Sequence, residues 1–222
     1  MLKGISPETS TKEHSAPQGQ IIRWASLYDM LVTGLTLGRE RAFRETTLDL
    51  AHVSPGERVL DVGCGTGTLA LAAKRRAGEG TVHGVDAGAE MVTRARQKAM
   101  RENLDVMFDV APAQILPFPD DTFDIVLCTL MMHHLPGDGR KQAVAEMRRV
   151  MCPRGRVLVV DFAQEHGLLA ALNPASLIHG NNHMHTMDAA EALMRNAGFS
   201  HVVTGRLGFR NLSYALGRMG NH

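Results

Sequence analysis

The chain has 222 residues, of which 44% are hydrophobic and 21% charged, and its formal net charge is +1. This length is typical of one domain with a sizeable core, and the near-neutral charge argues against a nucleic-acid-binding protein held by bulk electrostatics. No run of about 18 apolar residues occurs, so we predict no transmembrane helix, and the three widely spaced cysteines do not form a disulfide pattern.

The first part of the chain is predicted to be an arm followed by helices. Residues 1–20 are polar and lack the apolar segment of a secretory signal, which predicts a flexible arm on a cytoplasmic protein. In residues 21–51 apolar side chains recur every three or four positions. This spacing predicts a helical cap that is divided near Gly34 and Gly38.

Short apolar strands then alternate with helices. The predicted strands cover residues 58–62, 81–85, 106–110, 123–129 and 156–161, and the predicted helices cover residues 68–77, 89–103 and 139–151. Pro153, Arg154 and Gly155 are predicted to form a turn before the last of these strands. The alternation predicts an α/β fold, Rossmann-like and doubly wound, with a mostly parallel sheet covered on both faces.

The alternation stops after Asp161. Residues 163–185 show irregular spacing, and a helix is predicted over residues 187–197. Two later segments, residues 201–205 and 212–216, are close enough to pair as an antiparallel hairpin at the sheet edge. We therefore expect residues 21–222 to form a single domain, with its central sheet in residues 56–162 and the C-terminal helix and hairpin in residues 186–222.

The turn after the first strand carries the most information. Between Asp61 and Gly67 three glycines stand at alternate positions, and Asp86 ends the next strand. Glycines let a ligand approach the backbone closely, and a carboxylate after the second strand is placed to accept hydrogen bonds from ribose hydroxyls. Together they predict a nucleoside-binding site. Residues 65–70 also satisfy the dinucleotide pattern GxGxx(G/A), which leaves a nicotinamide cofactor open.

The motifs resemble those of class I S-adenosylmethionine-dependent methyltransferases. The resemblance rests on residues 59–67, 84–91, 116–126, 133–136 and 158–161. It is closest to the branch of the ubiquinone/menaquinone-biosynthesis C-methyltransferases and the bacterial phospholipid N-methyltransferases. The pair Tyr28 and Asp29 in the cap also resembles the sequences of that branch. The resemblance implies S-adenosylmethionine as cofactor, with residues 56–162 as the cofactor-binding core and residues 163–185 as the substrate cover.

The resemblance also implies roles for single residues, which are carried over by position. Gly63, Gly65 and Gly67 would line the methionine part of the cofactor, and Asp61 would reach its amino group through water. Asp86 would hold the ribose, Met91 would pack near the adenine and Thr129 would lie close to the sulfonium. Tyr28 would complete the cofactor-binding set from the cap.

One segment departs from the family pattern. The family often places an aspartate that binds the adenine amine where this chain has Pro112. The adenine contact must then come from the backbone near Ala113 or from Gln114. We expect an intact fold with weaker cofactor binding.

Histidines are the candidate residues for contact with the methyl acceptor or for its deprotonation. His133 and His134 follow the fourth strand, and either would act as a base or line the pocket. His179, His183 and His185 in the substrate cover are candidate substrate contacts, since no carboxylate or cysteine at ligand spacing joins them and no metal site is expected.

The reaction expected is in-line transfer of a methyl group to a small molecule or a lipid or quinone precursor, with at most transient contact with a membrane. A quinone-precursor carbon, a phospholipid amine and an unrelated metabolite all remain open as acceptors. An NAD(P)-dependent oxidoreductase and a cofactor-binding protein without transferase activity are the alternative functions. The sequence does not determine the oligomeric state.

Overall fold

The computed structural model describes residues 39–162, 186–209 and 212–220. Their helices are α1 (Glu40–Leu50), α2 (Thr68–Ala77), α3 (Ala89–Glu102), α4 (Gly137–Val150) and α5 (Thr186–Asn196). Their strands are β1 (Val59–Val62), β2 (Val82–Asp86), β3 (Met107–Val110), β4 (Phe123–Thr129), β5 (Met151–Phe162), β6 (His201–Arg206) and β7 (Leu212–Arg218).

The seven strands form one sheet in the order β3-β2-β1-β4-β5-β7-β6. The pairs from β3 to β5 are parallel, whereas β7 pairs antiparallel with both β5 and β6. This confirms the predicted Rossmann-like α/β fold and its antiparallel C-terminal hairpin. The strand order reverses between β1 and β4, and in open α/β sheets the crevice at such a reversal is where ligands bind.

Two apolar layers cover the sheet. One joins α1, α2 and α3 to one face through residues such as Leu48, Leu71 and Phe108. The other joins α4 and α5 to the opposite face through Met147, Met194 and Phe199. Strand β1 lies between β2 and β4 and is buried along its whole length, as expected for a central parallel strand.

The predicted turn at residues 153–155 is wrong, because these residues lie inside the continuous strand β5. Phe123 pairs with Met151, and Ile125 pairs with Arg156. Between these two pairs β5 advances by five residues while β4 advances by only two. The extra residues are absorbed as a bulge, which needs an extra residue but no chain reversal. Gly155 fits there because a Cβ would lie 3.0 Å from the carbonyl oxygen of Asp124.

The described residues leave some predictions untested. The described residues exclude the arm, most of the cap with Tyr28, and the substrate cover with His179, His183 and His185. The helix α1 falls at the end of the predicted cap. Within the described ranges, no helix has the length and apolar character needed to cross a bilayer.

Candidate active site

The loop between β1 and α2 lies at the carboxyl edge of the sheet, beside the reversal in strand order. Gly63, Gly65 and Gly67 all adopt positive φ angles of 73°, 53° and 78°. The backbone N–H groups of Gly63 and Cys64 donate to the carbonyl of Val85 at 2.8 and 2.9 Å, which ties the loop to the end of β2. The loop is therefore held in one shape before any ligand arrives.

The glycines of this loop are required by packing as well as by conformation. A Cβ on Gly67 would lie 2.7 Å from the ring of Phe108 and 2.8 Å from Ala95, so α2 can begin here only without a side chain. A Cβ on Gly63 would meet the side chain of Met131, which follows β4. Met131 therefore lies directly against the loop.

Asp86 closes the loop from the end of β2. One carboxylate oxygen accepts the N–H of Gly65 at 2.9 Å, and the other accepts the N–H of Gly88, at the start of α3, at 2.8 Å. Burial raises the pKa of Asp86, and these two hydrogen bonds oppose the rise. A carboxylate has about four acceptor positions, so Asp86 retains capacity for further donors.

Asp61 is the most unusual group of the site. It is 1% exposed in the middle of β1, and neither of its carboxylate oxygens has a hydrogen-bond partner within the part of the chain that the structure describes. Burial, and next the negative charge of Asp86, raise its pKa from 3.8 to about 7, while the nearby backbone N–H of Ala70, which falls short of hydrogen-bond geometry, opposes the rise. A buried carboxylate without a well-formed hydrogen bond is costly, which indicates that a ligand supplies the missing donors.

These two carboxylates favour a ligand that carries positive charge near them. A ligand with a cationic group would relieve the repulsion between Asp61 and Asp86, whereas a pyrophosphate would add negative charge beside it. S-adenosylmethionine carries a sulfonium and an ammonium group, so the residues present fit it better than they fit a dinucleotide. The structure thus separates two cofactors that the glycine pattern alone left open.

The other residues predicted for the cofactor lie around this loop. Met91 is 3% exposed in the first turn of α3, and Ala113 is 8% exposed after β3. The side-chain amide of Gln114 points to the start of α4, with its nitrogen 3.1 Å from where a Cβ on Gly139 would be. Thr129 is partly buried at the last position of β4. Their contacts with a cofactor stay predictions, as does the weakening expected from Pro112.

His133 lies in a short 3₁₀ helix (Met132–His134) that follows β4, and it is 8% exposed. Its ring Nδ1 is 2.8 Å from Oδ1 of Asp161, and its backbone N–H donates to Oδ2 of Asp161 at 3.0 Å. Asp161 lies near the end of β5 and is fully buried. A carboxylate only accepts hydrogen bonds, so the ring proton sits on Nδ1 and Nε2 is the basic nitrogen.

The sequence did not assign a role to Asp161. It ends a strand rich in valines and lies 28 positions from His133, so only the pairing of β4 with β5 brings the two together. The sequence contained one usable signal: His133 follows β4 and Asp161 lies near the end of β5, and the carboxyl ends of parallel strands meet at the same edge of the sheet. His134 is partly buried, with its ring centroid 3.9 Å from that of His133.

Comparisons with known proteins agree with this site. Residues 59–155 match the protein family described as a methyltransferase domain. The matched segment begins with β1 and ends in the bulge of β5, so it contains the glycine loop, both carboxylates Asp61 and Asp86, and His133.

Relatives of known activity are found among quinone-biosynthesis enzymes. The demethylmenaquinone methyltransferase of Thermus thermophilus is 38% identical over 138 residues, which is 62% of this chain and 62% of the relative. A ubiquinone/menaquinone biosynthesis C-methyltransferase of Paraburkholderia phymatum is 36% identical over 141 residues, which is 63% of this chain and 57% of the relative. The chain therefore matches less than two thirds of the length of either relative.

Solved structures show the same fold. A SAM-dependent methyltransferase from Aquifex aeolicus has a TM-score of 0.66 at 20% identity, covering 87% of this chain and 97% of that one. The [4+2]-cyclase SpnF also has a TM-score of 0.66, at 19% identity over 82% of each chain. Because a cyclase shares the fold, fold alone does not determine the reaction. S-adenosylmethionine is the cofactor of this methyltransferase class, and the alternative of a nicotinamide cofactor finds no support.

Proposed function

We propose that this protein transfers the methyl group of S-adenosylmethionine to a ring carbon of a quinone precursor. The observation that carries the proposal is the buried carboxylate of Asp61, which makes no hydrogen bond to the described residues, at the glycine loop of the segment that matches a methyltransferase domain. The identity with quinone-biosynthesis C-methyltransferases supports this acceptor class over a phospholipid amine or an unrelated metabolite.

The cofactor would supply an activated methyl group on its sulfonium, and the chain would bind and orient it. Asp61 and Asp86 would hold its ammonium and ribose, and the glycine loop would let its methionine part lie against the backbone. Holding the reacting atoms in line can supply roughly 7–11 kcal/mol of the barrier. This is the principal contribution that we expect from the protein.

We further propose His133 as the general base. A reduced quinone ring becomes nucleophilic at carbon when its hydroxyl group loses a proton, and Nε2 of His133 would accept that proton. As the methyl group leaves the sulfur and bonds to the ring carbon, that carbon would release its hydrogen as a proton, and the ring oxygen would take one back, which restores the aromatic ring. Asp161 would be a positioning residue, since its carboxylate fixes both the ring and the backbone of His133. It would also stabilise the imidazolium that forms.

A lipid-soluble acceptor must be met at a membrane, so we propose a cytoplasmic protein with transient membrane contact. The substrate cover of residues 163–185 and its three histidines remain our prediction for the acceptor pocket. The domain limits given from the sequence are retained as part of the same proposal.

The test combines binding and turnover. Purified protein is titrated with S-adenosylhomocysteine and, as control, with NADH. It is then incubated with S-adenosylmethionine and a short-chain demethylmenaquinone kept reduced, and the product is analysed by mass spectrometry. We expect binding of S-adenosylhomocysteine alone and a product heavier by one methylene group. Failure to bind S-adenosylhomocysteine refutes the methyltransferase proposal, and binding without a methylated quinone refutes the acceptor.

The base is tested separately with His133→Asn and Asp161→Asn. We expect His133→Asn to lower kcat about 100-fold while the affinity for S-adenosylhomocysteine stays unchanged. Asp161→Asn should shift the pH profile of kcat, which a merely structural role would not do. Equal kcat in wild type and His133→Asn would show that the acceptor proton leaves by another route.

A further inference from the structure

The residue that follows β4 has an unusual backbone conformation. Leu130 has a φ of 53°, in the left-handed region that few residues other than glycine adopt. The other non-glycine residues with positive φ in the described part of the chain are His52, Asn103 and Asp121. These three belong to the residue types that tolerate this region, and all are exposed in turns, whereas Leu130 is apolar and only 5% exposed.

Leu130 is held in this conformation by its surroundings. Its N–H donates to the carbonyl oxygen of Val160 in β5 at 2.8 Å, and its side chain belongs to the apolar layer that joins α1, α2 and α3 to the sheet. A disfavoured backbone conformation persists only where the surrounding structure imposes it, and such residues cluster at functional sites. Leu130 comes directly after Thr129, the last residue of β4, at the carboxyl edge of the sheet.

The turn at Leu130 brings Met131 to the cofactor loop. The Cβ of Met131 lies 2.7 Å from the position that a Cβ on Gly63 would take, so the two residues are in close contact. The loop does not depend on this contact, because the N–H groups of Gly63 and Cys64 donate to the carbonyl of Val85. The loop therefore fixes the position of Met131 rather than the reverse.

Met131 is also the residue before the 3₁₀ helix that carries His133. Its carbonyl oxygen accepts the N–H of His134 at 3.0 Å, which closes the first turn of that helix. Asp161 binds both the ring and the backbone of His133. A continuous series of contacts therefore runs from Gly63 through Met131 to the imidazole of His133.

We propose that Leu130 and Met131 are positioning residues that set the distance between the bound cofactor and Nε2 of His133. The left-handed turn at Leu130 directs Met131 onto the glycine loop, and the contact of Met131 with Gly63 fixes where the 3₁₀ helix begins. This role rests on the proposed methyl transfer. In-line transfer is sensitive to such spacing, since a displacement of about 1 Å lowers a rate by about 100-fold.

Two substitutions separate the backbone conformation of Leu130 from its packing. Leu130→Gly removes the apolar side chain but adopts a positive φ freely, whereas Leu130→Val keeps most of the apolar volume but is β-branched and strongly disfavoured at this φ. We expect Leu130→Gly to keep kcat within about threefold of wild type and Leu130→Val to lower it at least about tenfold. A role in packing alone predicts the opposite order.

The control for Leu130→Val is Asn103→Val, which places the same strained residue type at a φ of 50° at the exposed end of α3. We expect this control to leave kcat unchanged. The affinity for S-adenosylhomocysteine and the Tm are measured for each variant and show that it is folded. If Leu130→Val does not fold, the substitutions of Met131 decide.

Met131 is tested with a large and a small apolar replacement. Met131→Leu keeps a side chain against Gly63, so we expect kcat within about threefold of wild type. Met131→Ala removes the contact, so we expect kcat to fall at least about tenfold. The affinity for S-adenosylhomocysteine should change little in both variants, because the loop is held by its own hydrogen bonds to Val85.

A second measurement needs no methyl acceptor. NMR spectra of the histidine rings are recorded without and with saturating S-adenosylhomocysteine, and the signals of His133 are assigned by their loss in His133→Asn. We expect the ligand to shift these signals equally in wild type, Leu130→Gly and Met131→Leu. The shift should be smaller in Leu130→Val and Met131→Ala, where the contacts between the loop and the 3₁₀ helix are disturbed.

The two measurements distinguish failure of the positioning role from failure of the proposed function. If wild type binds S-adenosylhomocysteine but does not methylate the quinone, the acceptor is refuted, and the NMR comparison alone decides the role of Leu130 and Met131. A higher kcat or a larger NMR shift in Leu130→Val than in Leu130→Gly overturns that role. A Met131→Ala variant that behaves like wild type in both measurements also overturns it.

Discussion

The buried carboxylate of Asp61 should make the ligand-free protein less stable than it could be. In the folded state its pKa is raised from 3.8 to about 7, so folding favours the protonated form. The destabilisation is absent below about pH 4, grows as the pH rises, and is complete above pH 7, when the folded state must keep the charge buried. This pKa difference between the unfolded and the folded state lowers the free energy of unfolding by roughly 4 kcal/mol above pH 7.

Asp61→Asn removes the charge while keeping the size of the side chain. Relative to wild type, we expect the variant to gain stability, and the gain to be roughly 3 kcal/mol larger at pH 8 than at pH 5. The same variant should bind S-adenosylhomocysteine more weakly, because an amide cannot supply the negative charge that an ammonium group needs. Stability and cofactor affinity should therefore change in opposite directions, as is common at functional sites.

The assay is urea unfolding of ligand-free protein at both pH values, followed by calorimetric titration with S-adenosylhomocysteine. Asp138→Asn is the control, since that carboxylate is 89% exposed at the start of α4. We expect it to leave the pH dependence of stability unchanged. A stability difference between Asp61→Asn and wild type that is equal at pH 5 and pH 8 would refute the reasoning.

Two further predictions concern residues that surround the site. Gly67→Ala should lower the free energy of unfolding by about 2–4 kcal/mol, because it combines a φ of 78° with contacts below 3 Å to Phe108 and Ala95. Gly208→Ala, at a φ of 74° with open space around it, should cost only about 1 kcal/mol in the same urea titration, and equal losses would contradict the packing argument. Burial lowers the pKa of His83, while Asp109 and Asp105 partly offset this, so its contribution to stability is full above about pH 6.5 and is lost as the pH falls. His83→Gln should flatten the loss of stability between about pH 7 and pH 5, and an unchanged slope would show that another group titrates.

The sequence predicted most of the fold because its signals were local. Glycines bounded the strands and helices, and the predicted limits of α2 and β4 coincide with those in the structure. The turn at Pro153–Gly155 was predicted wrongly because a bulge and a turn use the same residues, and only the register against β4 distinguishes them.

The candidate site could be predicted only in part. The glycine loop and Asp86 follow a fixed spacing along the chain, so they were found. The bond between His133 and Asp161 joins two strands, and the isolation of Asp61 depends on which donors surround it in three dimensions.

The position of β7 between β5 and β6 has a consequence for the order in which the molecule assembles. During synthesis β6 emerges before β7, yet β6 can join the sheet only through β7. Until β7 docks, the valine-rich edge of β5 stays open, and an open hydrophobic edge is where nascent chains pair wrongly with each other. The hairpin of β6 and β7 must form before it reaches β5, or dock on β5 as one unit. By covering the edge of β5, it also reduces aggregation of the newly made chain.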